Sequence, residues 1–418
     1  MVRKKITQCC MLLAVVLISQ PLLADNWARF RGPNGMGVSN DKGIPDQFDE
    51  KNGILWKIPL PGPSNSSPIV WGKRLFVQTT TKDAKTRLLM CLDSANGKTL
   101  WSRSIPASKA HTHDKNTLAS ATPAADGQVV VAAFWDGKDI ILAAYDFQGE
   151  KLWDKNLGSF TSQHGAGASP IIYKDKVIFV NDQDGTSQVL VLNKKTGDII
   201  WQAPREAFRA CYSAPFILEK KGFEPELIVT STKSIRSYQP DKGTVNWNWT
   251  WTFSGMPLRT TGSPIYAHDM IFACSGDGGG DRHMAAIGLE GGGSKTQTKT
   301  LWENKKDFPY VPCLLSRGDN LYFVNDKGFA GCYAMKDGKQ IWYKRLPEAT
   351  FTSSPVLIDG KMVAASEEGD VYVLAAEPTY RLIARNTLGE RVRATPAVAD
   401  NRLYIRGQYH LFCIGKNQ

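Results

Sequence analysis

Short apolar runs separated by polar turns alternate along almost the whole chain, and the alternation repeats. In one unit Ile171-Ile172-Tyr173 is followed by the turn Lys174-Asp175-Lys176, then Val177 to Val180 and a polar turn through Asn181 to Gly185. Gln188 to Leu192 comes next, then Asn193-Lys194-Lys195-Thr196-Gly197, and Asp198 to Trp201 closes the unit. Runs this short, rich in Val, Ile, Leu, Phe and Tyr between turns, predict strands. Asp or Asn ahead of Gly supplies hairpin chemistry, because the carboxamide or carboxylate caps its own backbone and Gly accepts positive φ.

The unit recurs. A Pro followed by apolar residues stands at Ser67-Pro68, Thr122-Pro123, Ser169-Pro170, Ala214-Pro215, Ser263-Pro264, Val311-Pro312, Ser354-Pro355 and Thr395-Pro396, at intervals of 41 to 55 residues. Each of the first seven leads to a bulky residue near the end of its unit: Trp101, Trp153, Trp201, Trp247, Trp302, Trp342 and, in the seventh, Ile383. Four-strand units at this period predict blades of an all-β propeller, since one blade alone cannot cover its apolar faces. The eighth unit, Thr395 to Ile414, supplies three strands only, whereas Gly53 to Leu60 carries a matching Trp56 ahead of the first blade. Pairing that segment with the C-terminal strand predicts an eight-bladed β-propeller whose ring is closed by an N-terminal strand, with no open edge. The tryptophans, Trp56 included, are expected to clamp one blade to the next. Trp249 and Trp251 leave the register of blade 4 open, with an aromatic ligand platform as the alternative to packing.

Composition changes the picture at the ends. The formal charge is +11, and Arg3, Lys4 and Lys5 contribute three of those charges before an apolar run from Met11 to Ile18 and Pro21-Leu22-Leu23-Ala24. This is the pattern of a secretory signal peptide over 1–24. Residues 25–52 then form a leader expected to pack on the propeller, and 53–418 form the propeller itself. Cys9 and Cys10 precede the apolar run, which argues against a lipid-anchored cysteine, and no later segment is long and apolar enough to span a bilayer. The expectation is a monomeric, exported protein, periplasmic or extracellular.

Six cysteines follow the leader: Cys91, Cys211, Cys274, Cys313, Cys332 and Cys413. An even number in an exported chain invites disulfides. Cys91, Cys332 and Cys413, however, align with Ala144, Val191 and Ser237 on third strands. Packed sheets lie about 10 Å apart, too far for the Cα separation of a disulfide. Buried free thiols are expected instead.

The loops before each Pro and those between second and third strands share one face. That face carries His164, Arg209, Tyr212, Arg259, Arg391 and Arg393. These side chains belong either to an ordinary solvated rim or to an anion or acidic-peptide site at the channel mouth, where guanidinium groups make paired, charge-assisted hydrogen bonds. Other signals are weaker. Asp182-Gln183-Asp184-Gly185 opens like a calcium loop but lacks the later Glu. His111, His113 and Asp114 form either a polar loop or a metal site. The Gly276–Asp281 and Gly291-Gly292-Gly293 stretches do not open helices, so they are loops of blade 5 and not phosphate cradles. Asn65-Ser66-Ser67 and Asn248-Trp249-Thr250 fit the glycosylation pattern. No Cys/His pair has zinc spacing, no nucleophile motif is present, and no nucleic-acid module accompanies the positive charge.

The repeated unit, Ser-Pro-apolar to Asp/Asn-x-x-x-Gly-x-x-x-Trp, resembles the PQQ-like repeat of the quinoprotein alcohol dehydrogenase-like superfamily. The opening Trp27-Ala28-Arg29-Phe30-Arg31-Gly32-Pro33 resembles the leader of a group of exported bacterial PQQ-like propellers. The resemblance implies eight blades. For the dehydrogenases it also implies PQQ with calcium, a vicinal disulfide over the cofactor and an Asp base. Here the only Cys-Cys pair is Cys9-Cys10 and no acid matches that Asp, and fold analogy alone does not supply a site. The BamB family of outer-membrane assembly factors is similar in size. The functional expectation is a non-catalytic binding or scaffold module, without cofactor or metal, for a protein or anionic polymer of the cell envelope. A PQQ-dependent dehydrogenase and an outer-membrane assembly factor are the alternatives.

Overall fold

The structure, a computed structural model, describes residues 26–416. The predicted signal peptide lies outside the described residues. Eight antiparallel four-stranded blades follow one another around an axis, ordered as the chain runs, and the seventh carries one extra, parallel strand on its inner edge, Val38–Ser39. Blades 1 to 7 begin at Ile69, Ala124, Ile171, Phe216, Ile265, Leu315 and Val356. Blade 8 takes three strands from Ala397–Ala399, Arg402–Arg406 and His410–Ile414, and its outermost strand is Ile54–Pro59. Trp56 stands opposite Cys413 and Ile58 opposite Leu411 in that closing pair.

Burial grades outward for geometric reasons. Innermost strands are two or three residues long, because the axis leaves no room for more. Second strands such as Val129–Trp135 are buried at every position, being covered by neighbouring blades on both faces. Outer strands such as Thr99–Pro106 alternate between exposed and half-buried.

Each outer strand carries a bulge near its start, and this corrects one sequence reading. In blade 1 the pairs are Cys91 with Trp101 and Leu92 with Thr99, so Leu100 is the extra residue and stays exposed. In blade 7 the pairs are Val373 with Ala384 and Leu374 with Leu382. Ala384 therefore holds the tryptophan position and Ile383 is the bulge residue. A second correction concerns blade 6, whose first strand begins at Leu315. Cys313 and Leu314, and not Val311 and Pro312, occupy the places that Ser354 and Pro355 hold in blade 7.

Six of the tryptophans reach from one blade to the next. Trp56, Trp101, Trp153, Trp201, Trp302 and Trp342 each donate Nε1–H to a backbone carbonyl in the following blade: Ser94, Phe147, Lys194, Pro240, Met335 and Glu377. Trp247 pairs in register with Ser237 and settles blade 4. Trp249 and Trp251 are buried, donating to Thr300 Oγ1 and Ser231 O, so they pack and form no ligand platform. All six described cysteines are free and buried.

Candidate functional site

The position just before each inner strand builds a ring around the axis. The backbone N–H of one blade donates to the small side chain at the same position of a neighbour. Ser67 donates to Thr122 Oγ1 (3.1 Å), Thr122 to Ser169 Oγ (2.9 Å) and Ala214 to Ser263 Oγ (2.9 Å). Ser263 donates to Cys313 Sγ (3.1 Å), Cys313 to Ser354 Oγ (3.0 Å), Ser354 to Thr395 Oγ1 (3.0 Å) and Thr395 to Ser67 Oγ (3.0 Å). The link from Ser169 has no acceptor, because Ala214 carries no hydroxyl. The small residue before Pro in the repeat is thus a hydrogen-bonding part of the channel wall.

Below this ring the leader closes the channel. Trp27 O and Ala28 O accept N–H groups of Val70 in blade 1 and Ala125 in blade 2. Arg29 Nη2 donates to Pro215 O (2.6 Å) in blade 4 and Arg31 Nη2 to Leu314 O (2.6 Å) in blade 6. Asn34 exchanges both amide bonds with Ile217, and Val38–Ser39 adds a parallel strand to Val356–Ile358. Gly32, at φ +64°, leaves no space for a Cβ beside the Trp27 ring. These anchors account for the Trp-x-x-Phe-Arg-Gly-Pro spacing: the arginines grip two blades a quarter turn apart while Phe30 between them faces the cavity above.

That cavity has a volume of about 600 Å³ and opens at the loop face. Its wall includes His164, Arg209, Tyr212, Arg259 and Arg393, five of the six residues named from the sequence. Arg391 lies instead in a small adjoining pocket with Asp114 and Gln408. Sequence reasoning missed Phe30, His113, Lys115, Arg282, Tyr310 and Lys327 as lining residues. For Arg282 and Lys327 the findable signal was their place beside the turns between second and third strands.

Charge is distributed unevenly around the wall. Arg393 and Lys115 share Glu367 at 2.9 Å each, and Arg282 pairs with Asp326 at 3.2 Å. Arg209 and Arg259 have no carboxylate partner among the described residues. Arg209 Nη1 reaches Pro257 O at 3.4 Å; Arg259, 2% exposed, reaches Ala210 O at 3.3 Å and Gln163 Oε1 at 3.4 Å. Its buried Nε has no partner, nor has Nδ1 of His164. The His164 ring stacks on His113 with centroids 4.7 Å apart. Burial, then the positive fields of Arg259, His113 and Arg209, push the His164 imidazole down to about 4, so it is neutral at pH 7. Tyr212 bridges Ser162 Oγ and Gly165 O at 2.9 Å each, and burial pushes its phenol up to about 12.

Among the described residues, the acids of the cavity that the calcium implied by the resemblance would need are already engaged. Asp326 already accepts the N–H groups of Tyr310 and Val311 besides Arg282, and Asp277 caps its own glycine-rich loop. Among the described residues no three His, Cys, Asp or Glu side chains converge to hold a metal, the His111–Asp114 stretch included. Cys9 and Cys10 lie outside the described residues. The arginines suit carboxylates in general.

Comparison with known proteins agrees with this architecture. BamB of Shewanella oneidensis is 23% identical over 301 residues, covering 68% of this chain and 71% of that protein. The crystal structure of BamB from Moraxella catarrhalis superposes with a TM-score of 0.64 at 15% identity, covering 87% of this chain and 98% of that one. Quinohemoprotein alcohol dehydrogenase from Comamonas testosteroni gives 0.65 at 13% identity, covering 94% of this chain and 81% of that one. At such identities the two superpositions show the shared propeller fold alone. A family model described as outer membrane protein assembly factor BamB matches residues 47–159, 138–377 and 326–414. With nearly all of the propeller so matched, the chain belongs to the BamB family of PQQ-like β-propellers.

Proposed function

We propose that this protein is a non-catalytic, exported binding propeller that holds an acidic, partly apolar segment of a protein partner at its axial mouth. The observation that carries the reading is the pair Arg209 and Arg259, which face a cavity closed below by the leader and have no carboxylate partner among the described residues. Cationic clefts with low-dielectric walls concentrate anionic groups, and guanidinium groups bind carboxylates through paired bonds.

The rim favours a polypeptide over a bare polyanion. Phe208 is 58% exposed and Met256 78%, and they adjoin the two ends of the bond from Arg209 to Pro257 O. Large apolar side chains beside an uncompensated charge suit a segment that carries both residue types. Kinship with outer membrane protein assembly factors supports an envelope protein as that partner.

The test is site-specific photo-crosslinking from position 256 in the intact protein in cells. A discrete adduct is expected, lost with Arg209→Glu and competed by an acidic peptide. An adduct that forms equally well with Arg209→Glu removes the cationic mouth from the binding function.

A further inference from the structure

We propose that the cavity seats a ligand carboxylate among Arg209, Arg259 and the His113–His164 pair, and that seating it draws a proton onto His164. This deepens the binding function above and rests on it.

The argument starts from atoms that the protein leaves unmet. Arg259 is almost wholly buried, its Nε has no partner, and both of its terminal nitrogens make only long bonds, to Ala210 O and Gln163 Oε1. A buried guanidinium without a countercharge is costly, and a planar carboxylate answers its fork geometry. His164 borders the same cavity with an unpartnered Nδ1 and stacks on His113. Its backbone is fixed: His164 O accepts from Asn116 Nδ2 at 2.7 Å, and its N–H donates to Ser162 Oγ at 3.0 Å.

The strongest charges on this ring oppose its protonation. Arg259, His113 and Arg209 disfavour the imidazolium, while Asp184 favours it. Asp184 is committed elsewhere, accepting N–H bonds from Ala210 (2.7 Å) and Gln163 (3.1 Å). The phenols of Tyr212 and Tyr310 on the same wall are both raised by burial and stay neutral across the working range. A carboxylate placed beside these cations reverses the balance, and an opposite charge at close range raises an imidazole by about one to three pH units. The sign follows. Free His164 is neutral above about pH 4, so the complex takes up a proton between there and the raised value. Affinity therefore strengthens as pH falls through that window, by up to about tenfold per pH unit for one proton. Most of the window lies above the ordinary range of side-chain carboxylates, about 4.3 for Glu, so the ligand keeps its charge.

Calorimetric titration of the full chain with a hexaglutamate peptide at pH 5.5, in buffers of different ionisation enthalpy, counts the protons. Uptake of a large fraction of a proton is expected, retained in His268→Gln, an exposed histidine outside the cavity, and abolished in His164→Gln. The affinity of His164→Gln should be nearly flat between pH 5.5 and 7. A thermal melt of each variant establishes that it is folded. Binding without uptake, or uptake that survives His164→Gln, overturns the proton linkage and leaves the binding function standing. A wild-type protein that fails to bind the peptide at any pH, while the position-256 adduct still responds to Arg209→Glu, overturns the carboxylate seat alone. Failure of both experiments removes the binding function as well.

Discussion

The indole of Trp153, on the outer strand of blade 2, lies against Gly197 in the last turn of blade 3. Its Nε1 donates to Lys194 O in that turn at 2.8 Å. A Cβ on Gly197 would stand 2.6 Å from the ring, and the glycine holds φ at +74°. Trp101 with Gly149, Trp201 with Gly243 and Trp302 with Gly338 repeat the arrangement. The Gly and the Trp of the repeat are thus two halves of one joint, contributed by neighbouring blades. Gly197→Ala should destabilise by about 2–4 kcal/mol, from left-handed backbone strain plus overpacking against the ring. The same change at Gly222, which has positive φ but open space around it, should cost only the backbone part. Chemical denaturation of the two variants checks the difference.

The strand pattern, blade count and ring closure were legible because each rests on a local period repeated eight times. The two register errors have one cause. A residue type was matched where a role was needed. At the inner ring the role is to accept a backbone N–H, and Cys313 performs it next to a misleading Pro312. In blade 7 the bulge adds a residue, so Ile383 looks like the docking position that Ala384 holds. At the candidate site, rim arginines could be named from loop position. The stacking of His113 on His164, the floor at Phe30 and the apolar pair Phe208 and Met256 could not. Each depends on loops from different blades meeting, and no sequence period encodes that.

The thiols offer a simple check. Burial pushes Cys91, Cys211 and Cys413 up to about 12, Cys332 to about 11, and Cys274 well above its ordinary value. Thiolate is the reactive form, so the folded protein at pH 8 should react with Ellman's reagent at no more than one site. That site is expected to be Cys313, whose thiol borders the axial cavity. In denaturant, all six cysteines between residues 26 and 416 should titrate without prior reduction. A requirement for reductant would contradict the free thiols.

Glu367 gives the acid side of the stability profile. Burial alone would raise its carboxyl, but bonds from Thr352 and Lys115 and the charge of Arg393 outweigh that and lower it. A carboxyl lowered in the folded state contributes stability above its unfolded value, about 4.3, which is lost as pH falls through the folded value. Glu367→Gln should therefore destabilise at pH 6 and have progressively less effect towards pH 3. It should also loosen the 111–117 loop, which Lys115 and the bond from Arg393 to Asp114 O tie down. Melting temperatures across that range, with hydrogen exchange on the loop, measure both effects.

Blade 4 docks by a different device. Trp247 donates not to a carbonyl of the next blade but to Oε2 of Glu226, 2.6 Å away within its own blade, and Ser237 Oγ donates to the same oxygen at 2.6 Å. The other oxygen reaches blade 5, accepting from Gly293 N (2.9 Å) and Thr296 Oγ1 (3.2 Å). A carboxylate 1% exposed and held by four neutral donors thus replaces the carbonyl that the glycine-rich 291–293 turn does not present. Glu226→Gln keeps the volume but supplies only one accepting oxygen. The hydroxyls of Ser237 and Thr296 can rotate to accept, whereas the N–H groups of Trp247 and Gly293 cannot. Whichever way the amide turns, one of those two faces an NH₂ group and loses its partner. The expected cost is about 2–3 kcal/mol, the range for a hydrogen bond to a charged group together with a buried donor left unmet. Trp247→Phe should recover part of that loss in the Gln background and none in the wild type. A double-mutant cycle read by denaturation therefore decides whether Glu226 is the joint between these blades or only a solvated neighbour of it.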